Sequence, residues 1–201
     1  MINQQESIDF LLKEYSEVYN HMRHYDNISI SFIKFLFTFD LAVLSAVVTI
    51  YNYFDEKQAI LIKPIGYLLI ISFLIGLLLL SLAVRNRAYF VPVTRQVNRI
   101  RKYFKENMEI EFNFGDMYLN PAYPKYFNAF STYSLTFYLM SLLNSVIISV
   151  GFSCLFYDSL FLNLIVLNIA LVLQIAFIIL YLTNKEKKSA DEGIHGQKKK
   201  L

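Results

Sequence analysis

Asp40 needs a chemical account before any other residue in this chain. It sits within KFLFTFDLAVLSAVVTIY, Lys34 to Tyr51, among side chains that are almost all apolar. An acid at the centre of a membrane span costs on the order of 2.5–3.5 kcal/mol, so it is expected to face protein and to be paired. With the hydrocarbon starting near Phe35, Asp40 lies about five residues, roughly 8 Å, inside it. Arg85 ends the antiparallel neighbouring span, and its stem can snorkel toward that depth. Arg87 and Lys34 are the other candidate partners. One reading is a structural ion pair between two helices. A wet carboxylate lining a conduit is a second, and proton coupling or a silent protonated acid completes the set.

The next candidates are neutral. Ser141, Ser145, Ser149 and Ser153 recur every four residues with Asn144 beside them, and Asn163, Asn168 and Gln174 follow in the next apolar stretch. Small hydroxylated residues at that spacing let helices approach closely and bond across the contact. Packing within one helical hairpin, a subunit interface and a pore lining are the three readings. His21 and His24, with Glu17 one turn earlier, share a helix face that could hold a metal. A di-metal bundle would need a second such set; the sequence offers none, so the three are read as solvated and no metal is expected. The absence of a G-x-S-x-G elbow, an H-E-x-x-H pair or a glycine-rich phosphate loop points away from an enzyme, and no cofactor is expected.

The elements that must position these residues are written in the hydropathy. Of 201 residues, 56% are hydrophobic and 17% charged, against about 25% charged in an ordinary soluble domain. IGYLLIISFLIGLLLLSLAV, Ile65 to Val84, carries no charge, and a helix of that length reaches about 30 Å, the hydrocarbon thickness of a bilayer. Similar stretches elsewhere give four spans in an all-α polytopic membrane protein. The expected order is an acidic amphipathic helix over 1–29, spans over 30–54 and 65–84 joined by an external loop (55–64), and a basic helix and loop over 85–130. Spans over 131–156 and 159–183 follow, joined by an external turn at 157–158, and a disordered basic tail covers 184–201. The order of charge before the first span is wrong for a signal peptide, so that span is read as uncleaved. The lone Cys154 cannot form an intrachain disulfide.

An even number of spans puts both termini and the central loop on one side. Of the 19 basic residues, only Lys57 and Lys63 lie on the other, so 19 − 2 = 17 share the first side. The positive-inside bias makes that side the cytoplasm and the membrane the plasma (inner) membrane. The acidic leading helix and the basic helix after span two are read first as a cytoplasmic hairpin of complementary charge; the second reading makes Arg95, Arg99, Arg101, Lys102 and Lys105 a basic surface for a nucleotide or other small-molecule signal, anionic lipid headgroups or a protein partner. No nucleic acid is expected.

The stretch at 6–27 places Ile8, Leu11, Tyr15, Val18 or Tyr19, and Met22 on one stripe. No Gly or Pro separates it from the first span, so one helix is expected to run from the cytoplasm into the membrane. After the second span, Val93, Val97, Ile100 and Phe104 form a matching stripe, and Pro92 is expected to bend that helix. Ile110, Phe112 and Phe114 alternate with polar residues, which suggests a short extended piece. The acidic leading helix, YNHMRHYDN before span one and RNRAYFVPVTRQVNRIRKYF after span two together resemble small bacterial four-helix membrane proteins, some of them found in phage-defence loci. That resemblance implies a membrane-perturbing effector or sensor. The sequence therefore favours a homo-oligomeric, pore-forming or membrane-perturbing protein, with a membrane anchor that recruits a cytoplasmic partner through 85–130 as the alternative.

Overall fold

The computed structural model describes residues 4–53, 58–107, 115–156 and 160–198. Among them every regular element is helical: α1 (Gln4–Tyr53), α2 (Gln58–Asn107), the short α3 (Asp116–Leu119), α4 (Thr132–Phe156) and α5 (Leu160–Lys198). Four of these, α1, α2, α4 and α5, are long and apolar enough to cross a membrane. In α1 and α5 only 11% of the most apolar stretch is buried inside the molecule. The remainder is mostly apolar, as suits a lipid-facing surface, with Thr38, Ser45 and Thr49 of α1 and Asn168 of α5 as exposed exceptions.

The chain forms two compact units. The first gathers the described parts of Met1–Ser29, Arg85–Tyr126 and Lys185–Leu201; the second gathers Ile30–Val84 and Phe127–Asn184. The boundary between them falls inside α1, α2 and α5. The long leading helix expected from the lack of Gly and Pro is present as α1, 50 residues without interruption.

Three boundaries differ from the sequence reading. α2 begins at Gln58, so part of the expected external loop is helix and α2 contains both Pro64 and Pro92. Leu61 and Ile65 pack into a core with Leu69 and Ile147, and that burial outweighs the local cost of Pro64. α5 continues past Thr183 to Lys198 in place of a disordered tail, anchored where Glu186 meets Arg95. α3 follows Gly115 where no helix was expected. The extended piece over 110–114 and the turn at 157–158 lie outside the described residues.

In the first unit, the stripe chosen from periodicity faces inward: Val18 is 7% exposed, and Ile8, Leu11, Tyr15 and Met22 are half-buried. On α2, Val97 and Ile100 are buried, with Val93 and Phe104 half-buried on the same stripe. The amide of Asn86 ties the two helices, donating to the Tyr25 carbonyl and to Ser29 Oγ, each at 2.6 Å.

Candidate functional site

Asp40 is 1% exposed, and neither of its carboxylate oxygens has a hydrogen-bond partner among the described residues. The ion pair expected with Arg85 is not made. α2 turns Ala83 and Val84 inward and Arg85 outward, where it is exposed. Lys34 is also exposed. Arg87 is buried but committed elsewhere: Nη2 donates to the Lys125 carbonyl at 3.0 Å, and the guanidinium lies 5.1 Å from the centre of the Phe90 ring. A buried carboxylate without a partner cation among the described residues is therefore the principal chemical feature of the second unit.

In the same unit, α4 and α5 supply polar groups that are mostly satisfied within the chain. Asn144 Nδ2 donates to Gln174 Oε1 at 3.2 Å, and Gln174 Nε2 donates to Ser145 Oγ at 3.1 Å. Ser141 and Ser145 return their hydroxyls to carbonyls one turn back on α4. Ser149 Oγ donates to the Asn163 carbonyl, and Asn163 Nδ2 donates to Ser153 Oγ. The serine ladder thus bonds and packs within the α4–α5 hairpin. Asn168 takes no part; it is exposed and donates to the Leu164 carbonyl of its own helix.

Two oxygens in this network are not used, Asn144 Oδ1 and Asn163 Oδ1. Asn144 Oδ1 is buried and has no partner. It points at α2, where a Cβ added to Gly76 would collide with it. A second close approach lies further along: a Cβ on Gly151 would meet Leu69 Cβ at 3.0 Å, and one on Gly66 would meet Leu155 at 2.7 Å. Gly66, Gly76 and Gly151 were not singled out in the sequence, although small residues inside apolar spans are the usual signal of close helix contact.

The basic residues of the first unit divide into two groups. Arg95, read as surface, is buried: Nε donates to the Pro124 carbonyl at 3.0 Å, Nη1 to Ser189 Oγ, and Nη2 to Glu186 Oε1 at 2.7 Å. Its guanidinium also lies 5.0 Å from the centre of the Tyr126 ring, and Glu186 Oε2 accepts from the Tyr126 amide. Asn98, 2% exposed, donates to the carbonyls of Asn120 and Tyr123. Arg87, Arg95 and Asn98 therefore bind the carbonyl row of the 120–125 loop, whose Tyr123–Pro124 peptide is cis. Arg101 is half-buried between Tyr15 and Tyr118. Arg99, Lys102 and Lys105 remain exposed, with Lys102 3.6 Å from Glu106. Glu17, His21 and His24 are exposed on α1.

No protein-family model, curated protein or solved structure matches this chain.

Proposed function

We propose that this chain is a non-enzymatic inner-membrane protein that acts on the bilayer itself. On this reading, assembled copies open a conduit or perturb the lipid, and the first unit, on the cytoplasmic side, receives the signal. The observation that carries the proposal is Asp40, an acid inside an apolar span that is buried and has no hydrogen-bond partner among the described residues. An ionisable group in that position is functional by default, because nothing structural repays its desolvation. The helices support the coupling: α1, α2 and α5 each contribute residues to both units, so a signal received by one has an unbroken backbone to follow. The resemblance of the sequence layout to small bacterial membrane proteins found in phage-defence loci is what suggests antiviral defence as the setting.

The test is ion flux from liposomes loaded with purified full-length protein, comparing wild type with Asp40→Asn. The amide nearly preserves shape and removes the charge. Flux that rises with protein density and falls at least about tenfold in Asp40→Asn, with the fold retained, is the expected result. Tight vesicles at every density would end the conduit reading. That outcome would favour a membrane anchor, for which the clamped 120–125 loop and the exposed rings of Tyr118 and Tyr123 offer a rigid surface to a partner protein.

A further inference from the structure

Asn168 is the polar group of α5 that the hairpin network leaves out. With the hydrocarbon starting near Leu160, it lies about eight residues, roughly 12 Å, inside a layer about 30 Å thick. It is exposed, and so are Phe161, Ile165 and Val172, which continue its row along the helix at spacings of four and three. Asn163 and Gln174, the α5 residues that bond to α4, lie about 120–140° around the helix from it. Asn168 therefore belongs to a face that looks away from its own hairpin.

An amide exposed at that depth has no water to turn to. Nδ2 donates to the Leu164 carbonyl at 2.7 Å, which uses one of its two hydrogens. The second hydrogen and Oδ1 have no partner among the described residues. The exposed hydroxyls of α1 differ in this respect. Thr38 and Thr49 each donate their single hydrogen to a carbonyl of their own helix. Hydrocarbon offers neither donor nor acceptor, and lipid headgroups lie too far away. The unused half of the Asn168 amide calls for a polar group that another protein surface carries to the same depth.

The same residue of a second copy meets that need. Copies inserted into one membrane share one orientation, so a symmetry axis along the membrane normal relates them and equal residues stand at equal depth. A two-fold axis beside Asn168 sets one amide against the other. An amide is both donor and acceptor, so the unused hydrogen of each can go to Oδ1 of its mate and the pair needs no third group. Ile165 and Val172, on either side, supply the apolar contact of a parallel helix pair, in which a polar residue fixes the register. We propose that the α5 face of Phe161, Ile165, Asn168 and Val172 is an interface between two copies of this chain, closed by reciprocal hydrogen bonds between the two Asn168 amides. The interface rests on the membrane placement of the proposed function and deepens that function by naming where copies assemble. Association and flux are read separately: dimers in tight vesicles would end the conduit and leave the interface standing.

The test is the monomer–dimer equilibrium of the full-length protein in mild detergent, followed by analytical ultracentrifugation across protein-to-detergent ratios. Wild type is expected to dimerise reversibly. Asn168→Leu should need a ratio roughly five- to tenfold higher for half-dimerisation, the effect of losing two modest membrane hydrogen bonds. Asn168 bonds to its own helix, so this variant is expected to fold, and an unchanged Tm under monomeric conditions checks that. Cross-linking in native membranes locates the face, with Cys154→Ser as background. There Asn168→Cys should give disulfide-linked dimers on mild oxidation, whereas Leu173→Cys, exposed on another side of α5, should not. A wild-type chain that stays monomeric at every ratio overturns the interface. So does Asn168→Leu associating as tightly as wild type, or cross-linking through position 173 that equals or exceeds that through 168, since either result would put the contact on another face.

Discussion

Arg95 lies in a stretch that the sequence marks as a basic surface, yet its side chain is only 8% exposed and every face of the guanidinium is engaged. Spacing alone does not separate an arginine that displays charge from one that binds carbonyls, because the difference lies in a loop some thirty residues away in sequence. The consequence is testable. Arg95→Ala leaves Glu186 Oε1 and the Pro124 carbonyl without the donor Arg95 supplies, and breaking a buried pair costs roughly 3–5 kcal/mol. Glu186 is 38% exposed, so solvent recovers part of that, and the expected loss is near the lower end of the range. Arg95→Lys should recover little, since one ammonium cannot reproduce a planar fork aimed at three acceptors. Denaturant unfolding in detergent measures both. Asp40 teaches the opposite lesson. Its depth and burial were legible from the apolar run around it, but its partner was not, because helical periodicity does not say whether Arg85 turns toward α1 or away.

At the level of the helices, the α2–α4 contact depends on what Gly76 lacks. A methyl group there would be driven into Asn144 Oδ1, and Asn144 cannot easily swing aside while Nδ2 is held by Gln174. Gly76→Ala is therefore expected to destabilise by about 1–3 kcal/mol, the usual cost of overpacking, despite the higher helix propensity of Ala. The serine ladder gives a graded comparison. In Ser145→Ala, Gln174 Nε2 loses one acceptor but keeps the Ala170 carbonyl at 3.2 Å, so the loss should be near the roughly 0.6 kcal/mol average for a transmembrane hydrogen bond. Ser145→Leu places a large side chain where the residue is 0% exposed, and a large drop in folded yield is expected. Similar yields for the two variants in detergent would show that the hairpin tolerates separation and that closeness is not what the serines provide. The four long helices and their inward stripes were readable because hydropathy and the 3.6-residue period are strong local signals. The helical extent of α2 around Pro64 and of α5 beyond Thr183 was not, since tertiary contacts to Ile65 and Glu186 settle those boundaries.

For the whole molecule, length argues together with charge. At about 1.5 Å per residue, a helix of 50 residues, such as α1 or α2, extends roughly 75 Å, while a bilayer core takes up about 30 Å of it. The apolar portion of α1 is its C-terminal half and that of α2 its N-terminal half, so each must carry its polar half out of the hydrocarbon. In antiparallel neighbours those halves emerge on the same side. Lys13 and Arg23 lie on one such half, and Arg85, Arg87, Arg95, Arg99, Arg101, Lys102 and Lys105 on the other, which is the bias that retains a segment in the cytoplasm. Cysteine-accessibility or reporter fusions at the C-terminus and within 85–130 should therefore report the cytoplasm, and a fusion at Lys57 the opposite face. A shared compartment for Lys57 and the C-terminus would require an even number of crossings between them, where α2, α4 and α5 make three. One of α2, α4 and α5 would then have to lie outside the bilayer, and the four-span arrangement would fall with it.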